Sequence, residues 1–149
     1  MDQIDRNIPA ELQQDATLPV AQLADRVGMS QTPCWKRRQK LEAAGIITGR
    51  VAVVDPRKVA LGLTVLVDVE ALDHTAAWRE QFLQAVDALP EVMEVVRLGG
   101  GADYHLRVVV AAMQTHDCIS RALTEAVGLR SVTSKFVMDR LRERTVLPV

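Results

Sequence analysis

The sequence predicts an α+β protein: an N-terminal winged helix-turn-helix domain followed by a ferredoxin-like βαββαβ domain. Three observations lead there. The first 45 residues carry helical spacing of apolar side chains, interrupted by short turns. Beyond about residue 60 the pattern changes to strands alternating with helices in the order β-α-β-β-α-β. The length of 149 residues is enough for two small domains.

Composition excludes several classes of protein. Apolar residues make up 48% and charged residues 25% of the chain, which is typical of a globular protein and not of a disordered one. No uncharged apolar run reaches the ~18 residues of a membrane span, and the first residues lack the pattern of a signal peptide. Two cysteines at unrelated spacing indicate neither a metal site nor a disulfide framework. We therefore expect a reduced, cytosolic protein that needs no metal or cofactor.

Three helices are predicted in the first domain, residues 1–50. The first carries Ile4, Ile8 and Leu12 at four-residue spacing, and Pro9 should kink or delay it. Pro19 opens the second helix, which ends at Gly28. The third is capped by Ser30 and runs over residues 33–44. Helices in this order, with a short turn before the last, are typical of a helix-turn-helix unit, whose last helix enters the major groove of DNA.

A linker and a second domain follow. Residues 46–54 are rich in β-branched side chains, and Asp55-Pro56 should end that extended segment, so residues 51–60 are predicted to be a linker strand. The second domain covers residues 61–149. Its predicted strands are Leu63–Glu70, Val92–Leu98, Tyr104–Ala112 and a last strand from Val132 to Asp139. Helices carrying Trp78, Phe82, Val86 and Ile119, Leu123, Val127 should cover one sheet face. The other face, with Val109 and Val137, should pair with a second subunit.

Charge is distributed unevenly along the chain. The net charge is −1, but residues 1–60 carry +2 and residues 61–149 carry −3. The basic side chains concentrate between residues 36 and 58: Lys36, Arg37, Arg38, Lys40, Arg50, Arg57 and Lys58. Such a patch focuses an anionic partner, although a solvated helix face has the same pattern. The charge alone leaves both interpretations open.

Several short motifs stand in a fixed order along the chain: Ile4-Asp5-Arg6-Asn7-Ile8, Leu23 through Ser30, Arg37 through Gly45, Asp55-Pro56, Pro90-Glu91-Val92, and Gly100-x-x-Asp103-Tyr104-x-Leu106-Arg107-Val108. In this order and spacing they resemble the Lrp/AsnC family of amino-acid-responsive bacterial transcription regulators over essentially the whole chain. The resemblance implies a double-stranded DNA operator, a small amino-acid effector and a homo-oligomer, at least a dimer and in this family often an octamer. It also implies a cytoplasmic, nucleoid-associated protein without a membrane partner.

Two further stretches narrow the resemblance. Thr32-Pro33-Cys34-Trp35-Lys36-Arg37 and the ending Leu147-Pro148-Val149 are similar to the branch that includes regulators of cysteine detoxification. Cysteine is therefore the first effector to test, followed by branched-chain amino acids. Three departures stand against the family pattern: Pro9 replaces a leucine, Arg38 replaces an aliphatic residue, and the turn of residues 99–102 lacks larger side chains.

The third helix supplies the candidate DNA contacts. They are Ser30, Gln31, Thr32, Trp35, Lys36, Arg37 and Lys40, with Arg50 just beyond the helix. Residues near the start of a recognition helix meet base edges, and lysine and arginine also bind phosphates. For Arg37 an ion pair with Glu42 or with a carboxylate of the first helix is an equally weighted alternative.

The candidate effector site is the turn before Asp103. Gly99, Gly100 and Gly101 expose backbone N–H groups to a ligand carboxylate, and Asp103 is placed to bind its ammonium group. Thr133 and Ser134 on the last strand supply hydroxyl groups. The alternative is a flexible hairpin that Asp103 caps.

Two other functions remain as alternatives. One is an architectural, weakly specific DNA-bending protein. The other is an enzyme related to the tetrapyrrole decarboxylases that share this fold, in which the basic set of the third helix should be lost. Of the cysteines, Cys34 is expected to be a buried apolar residue with a thiol switch as the alternative, and Cys118 is expected in the core.

Overall fold

The computed structural model describes all residues 1–149, which divide into two compact units. Residues Met1–Val53 together with Leu141–Val149 form the first unit, and Val54–Arg140 form the second. No helix is both long enough and apolar enough to cross a lipid bilayer. Each unit has its own apolar core.

The first unit contains three helices: α1 (Gln3–Gln14), α2 (Val20–Arg26) and α3 (Gln31–Ala43). Their apolar stripes meet in one core: Ile8, Leu12, Leu18, Leu23, Ala24, Val27, Cys34 and Leu41. The three helices predicted from spacing are therefore present. Because α3 contributes only two side chains to this core, most of its surface remains available for other contacts.

Pro9 lies inside α1, so of the two predicted effects, a kink or a delayed start, the delayed start does not occur. The helix begins at Gln3 because Asp2 and Asp5 form a capping box that satisfies the backbone N–H groups at its start. Pro9 itself is buried, so its ring packs in the helical core although its missing N–H removes one helical hydrogen bond.

Two glycines end α2 and α3 in the same way. Gly28 and Gly45 have φ values of +71° and +69°, a left-handed conformation that residues with a Cβ adopt only under strain. After α2, the N–H of Met29 donates to the carbonyl of Ala24 at 3.0 Å. After α3, the N–H of Ile46 donates to Leu41 at 2.9 Å in the same motif. The first of these turns sets the entry of the chain into α3.

The predicted wing and linker strand are not formed. Residues 46–55 belong to no strand, and Pro56–Val59 form a short 3₁₀ helix that Asp55 caps. Val51 and Val53 are 85% and 80% exposed. A β-branched segment becomes a strand only when a neighbouring strand supplies hydrogen bonds, and the single chain offers none here.

The second unit has the predicted βαββαβ order. Its elements are β1 (Leu63–Ala71), α4 (Ala76–Asp87), β2 (Val92–Arg97), β3 (Tyr104–Val110), α5 (Met113–Ala126) and β4 (Leu129–Phe136). The sheet is antiparallel, in the order β2-β3-β1-β4. The last strand ends at Phe136 and not at Asp139, although the N–H of Val137 still donates to Thr64 at 3.0 Å.

The two helices cover one face of this sheet. Alternate residues of β1 and β3 point into the core, where Trp78 and Phe82 of α4 stack at 5.1 Å and Tyr104 joins them. The indole N–H of Trp78 donates to the carbonyl of Gly128 at 2.8 Å, which fixes α4 beside the start of β4. The sheet that carries the hairpin between β2 and β3 is therefore packed against α4 and α5 on one side.

The opposite, open face of the sheet is mostly polar. Asp68 lies at its centre, 2.6 Å from His105 Nδ1 and in contact with the ammonium group of Lys135. These two contacts lower the pKa of Asp68, the hydrogen bond from Lys135 contributing most. Val109 lies on this face as predicted and is buried within the single chain. The face therefore combines paired charges with apolar side chains.

Candidate DNA-binding helix and effector turn

One face of α3 is exposed to solvent along its whole length. Its exposed side chains recur at the spacing of a helical face, and they are Gln31, Thr32, Trp35, Lys36, Gln39 and Lys40. The opposite side of the helix carries the buried Cys34 and Leu41. Gln39 was missed in the sequence analysis, although its position four residues after Trp35 places it on the same face. The helix therefore presents amide, hydroxyl, aromatic and ammonium groups together.

The basic residues of this region fall into two groups. Arg37, Arg38 and Arg50 each form an ion pair within the chain. Lys36 and Lys40 form none, and both are exposed. Unpaired ammonium groups on an exposed helix face are the ones available to phosphates.

Arg37 joins α3 to the start of α1. Its Nη1 donates to Asp2 Oδ2 at 2.5 Å and to Asp5 Oδ1 at 2.7 Å. The hydrogen bonds from Arg37 hold the pKa of both aspartates below the usual range, and the two carboxylates raise the pKa of Arg37. The structural alternative for Arg37, a pair with carboxylates of the first helix, is what the structure contains.

Glu42, near the end of α3, forms ion pairs with the other two arginines. Its Oε1 accepts from Arg38 Nε at 3.1 Å and from Arg50 Nη2 at 2.7 Å. Arg38 lies at the edge of the core with its side chain 20% exposed, so its charged head reaches Glu42 while its stem packs inward. At the other end of the helix, Ser30 occupies the N-cap position, but its hydroxyl makes no capping hydrogen bond. That hydroxyl remains free for a partner.

The turn of residues 99–102 joins β2 to β3 at the surface. Gly99, Gly100 and Gly101 are exposed. The turn is closed by the N–H of Leu98, which donates to the carbonyl of Asp103 at 2.8 Å. Free backbone donors at such a turn suit a carboxylate ligand.

Asp103 ties this turn to β1. Its N–H donates to Val69 at 3.0 Å, and its Oδ2 accepts from the N–H of Ala71 at 2.8 Å. The other oxygen, Oδ1, lies 3.9 Å from His74 Nδ1. Asp103 therefore bonds to the neighbouring strand and does not cap its own hairpin, and one oxygen remains for a ligand. His74 was not found from the sequence because it lies 29 positions away in the loop after β1.

Thr133 and Ser134 point to opposite faces of the sheet, as neighbours in a strand do. Thr133 is exposed on the open face, where it pairs with Asp68. The hydroxyl of Ser134 lies 3.1 Å from Nε2 of the buried His116, which Ser120 also approaches at 3.3 Å. One ligand on one face of the sheet cannot contact both hydroxyls within a single chain.

A cavity of about 370 Å³ lies elsewhere, between the end of α4 and β2. Its lining is apolar with an acidic rim: Leu83, Val86, Leu89, Val92 and Val95, with Asp87 and Glu94. It shares no residue with the turn of residues 99–102. Because an amino acid needs an anion site as well as a cation site, the turn and not this cavity has the required chemistry.

The two cysteines differ in exposure. Cys34 is buried, and burial raises the pKa of its thiol, which favours the apolar role over the thiol switch. The prediction that Cys118 belongs to the core was wrong: Cys118 is exposed. The apolar face of α5 carries His116, Ile119 and Leu123, and Cys118 lies off that face. No group of three or more His, Cys, Asp or Glu side chains is arranged to bind a metal ion.

Both parts of the chain match domains of a known protein family. Residues 1–42 match the AsnC-type helix-turn-helix domain, and residues 64–147 match the Lrp/AsnC ligand binding domain. The chain belongs to the Lrp/AsnC family. The resemblance and the two-part fold class predicted from the sequence are therefore confirmed, and α3 is the last helix of the helix-turn-helix domain of this Lrp/AsnC protein.

Relatives in the Lrp/AsnC family align along the whole chain. The DNA-binding transcriptional activator DecR of Escherichia coli K12 is 43% identical, over 100% of this chain and 99% of its own. The glutamate uptake regulatory protein of Zymomonas mobilis is 40% identical, over 100% and 91%. Both names describe regulators of transcription or of transport.

Two solved Lrp/AsnC structures have the same fold. An AsnC family regulator from Agrobacterium tumefaciens superposes with a TM-score of 0.93 at 42% identity, covering 99% of this chain and 97% of that one. A transcriptional regulator of Neisseria meningitidis in complex with L-methionine gives 0.93 at 31% identity, covering 99% and 96%.

Proposed function

We propose that this Lrp/AsnC protein is a sequence-specific transcriptional regulator of amino-acid metabolism that binds an operator through the exposed face of α3. The observation that carries the proposal is the unpaired state of Lys36 and Lys40, on the same face as Gln31, Thr32 and Gln39. Lysines position the duplex through phosphates, while glutamine and threonine side chains read base edges in the major groove. Ser30 and Trp35 complete this surface, and Arg50 flanks it beyond the end of the helix.

The proposed effector is a small amino acid at the turn before Asp103. Gly99, Gly100 and Gly101 supply N–H donors for its carboxylate, and Oδ1 of Asp103, which accepts no hydrogen bond within the chain, accepts from its ammonium group. The site is open on a single chain, so a neighbouring subunit completes it. Of the two strand residues, Thr133 is the one whose hydroxyl is exposed. L-cysteine is the first candidate ligand because of the branch resemblance, and L-methionine, bound by the Neisseria relative, is the next.

The functional form is proposed to be a homo-oligomer, a dimer at minimum and an octamer as the family resemblance implies. Support comes from apolar side chains that the single chain leaves in solvent. Val51, Val53 and Val54 are 85%, 80% and 59% exposed, and an unpaired segment of this kind gains hydrogen bonds from a second copy. The domain boundaries proposed are residues 1–50, the linker 51–60 and residues 61–149.

The proposal assigns no catalytic activity to the chain. A tetrapyrrole-processing relative is expected to have lost the basic set of the third helix, whereas Lys36 and Lys40 are present and exposed here. A regulator of this kind acts on the bacterial chromosome, so the proposed location is the nucleoid in the cytoplasm.

Selection from fragmented genomic DNA of the source bacterium tests the proposal. The full-length protein should enrich a few fragments upstream of genes for amino-acid metabolism, and the double variant Lys36→Ala/Lys40→Ala should enrich none. Arg79→Ala, which removes an exposed arginine from α4, is the matched control and should behave as wild type. Uniform enrichment of all fragments would favour the architectural alternative, and equal enrichment by the double variant would refute the role of α3.

A further inference from the structure

Residues 141–147 belong to one domain by family match and to the other by packing. The match to the ligand-binding domain runs to residue 147, yet residues Leu141–Val149 form part of the compact unit that contains α1, α2 and α3. We call these nine residues the tail. The chain therefore connects the two units twice, once through the linker and once through the tail.

Two backbone attachments lie on either side of the start of the tail. Four residues before the tail, the N–H of Val137 donates to Thr64 of β1 at 3.0 Å, which fixes the end of β4. Near its end, the N–H of Leu147 donates to Gln13 Oε1 at 2.7 Å, and Gln13 Nε2 donates back to the carbonyl of Leu147 at 3.3 Å. The side chain of Gln13 thus pairs with a backbone amide as a neighbouring strand would.

Apolar packing contributes little to this attachment. Leu141, Leu147 and Val149 are 91%, 66% and 52% exposed, and no residue of the tail is buried. A segment with few buried contacts and exposed hydrogen bonds opens at low cost. The attachment at Gln13 is therefore releasable while the helical core stays folded.

The length of the chain between Val137 and Leu147 limits how far apart its two ends can lie. Leu147 lies ten positions after Val137, so the chain between the two anchors reaches at most about 35 Å when fully extended. The pairing with Gln13 holds only while both anchors lie within that reach. Since β4 is an edge strand of the ligand-binding sheet, a shift of its end changes the span that the connection has to bridge.

We propose that the tail is a releasable strap that couples the ligand-binding domain to the DNA-binding domain, with Gln13 as its latch. The inference rests on the proposed function, because it connects DNA binding with the effector domain. Coupling between two sites is reciprocal, so DNA bound to the first domain must change the second even without an effector. This gives a readout that does not require the identity of the amino acid.

Amide hydrogen exchange of the full-length protein, with and without a 40-base-pair DNA duplex at low salt, tests the strap. In the wild type, DNA should change the exchange rates of Leu129–Phe136. In Gln13→Ala that change should fall by about five-fold or more, the low end of typical coupling factors, while affinity for the duplex stays the same. Gln13→Glu keeps the acceptor and loses the donor, so it should be intermediate.

Gln14→Ala is the matched control, because Gln14 is an exposed neighbour with no hydrogen bond from its side chain. It should behave as wild type, and alanine keeps the helix intact in both variants. An equal response of β4 in wild type and Gln13→Ala, or no response in a wild type that shifts the duplex, would overturn the strap. A wild type that shifts no DNA would instead overturn the proposed function, and the strap with it.

Discussion

Arg37 Nη1 lies 2.7 Å from Asp5 Oδ1, which joins α3 to the first turn of α1 across 32 positions of sequence. The same guanidinium also reaches Asp2, and the two aspartates cap the helix in which they lie. The most basic stretch of the sequence therefore has two functions: Arg37 positions α3, and the lysines beside it face solvent.

Replacing Arg37 by alanine should lower the thermal midpoint of the DNA-binding domain. The two aspartates would keep their capping bonds but lose the cation that holds them to α3. Differential scanning calorimetry of Arg37→Ala and of Arg6→Ala checks this, since Arg6 is an exposed arginine of α1 without an ion pair. Arg6→Ala should melt like wild type. Equal midpoints for all three proteins would show that the ion pairs of Arg37 with Asp2 and Asp5 do not stabilise the domain.

The ion pairs of Arg37 with Asp2 and Asp5 should also make the first domain less stable in acid. Arg37 lowers the pKa of Asp2 and Asp5 in the folded state. Their contribution is therefore fully present above the unfolded value of about 3.9, and it is lost as the pH falls from there through the lowered folded values. The midpoint of the first domain should drop steeply below about pH 4 in wild type and less steeply in Arg37→Ala. Parallel pH profiles for the two proteins would contradict this origin.

Two substitutions of Asp103 distinguish a role in ligand binding from a role in holding the turn to β1. Asp103→Asn keeps an oxygen for the N–H of Ala71 but removes the charge, so affinity for the amino acid should fall about 10- to 100-fold with the fold intact. Asp103→Ala removes both and should also lower the thermal midpoint. Calorimetric titration with L-cysteine and L-methionine measures the affinities. Equal affinities for wild type and Asp103→Asn would mean that the residue only ties the turn to β1.

A single charged substitution tests whether subunits assemble through the open face of the sheet. Leu66 lies on that face between Arg107 and Lys135 in the strand register, so Leu66→Asp is tolerated by the single chain. At an interface the added carboxylate would be buried, and the oligomer should dissociate. Leu83→Asp, on the exposed side of α4, is the control. Light scattering should show a smaller species for Leu66→Asp alone, and an unchanged mass would place the interface elsewhere.

Local patterns predicted the elements of this protein because helix and strand periodicities are properties of neighbouring residues. The ends of α2 and α3 at Gly28 and Gly45 were accessible in the same way. The opposite orientations of Thr133 and Ser134 also follow from strand alternation, although the two residues were predicted to act at one site.

Contacts between distant positions were not accessible. The pairing of Arg37 with Asp2 spans 35 positions and depends on how α3 crosses α1, which no spacing rule contains. The return of Leu147 to Gln13 spans 134 positions. The linker strand was predicted but is absent. Residues 51–54 have the composition of a strand, but a strand needs a hydrogen-bonding partner that the single chain does not supply.

The salt dependence of duplex binding tests the DNA-binding role of α3 most directly. Each phosphate contact contributes about 0.9 to the slope of log affinity against log salt concentration. Lys36→Ala and Lys40→Ala should therefore each reduce the slope by about 0.9, and the double variant by about 1.8, whereas Arg79→Ala should leave it unchanged. A double variant with the wild-type slope and affinity would show that DNA binds to another surface of the protein.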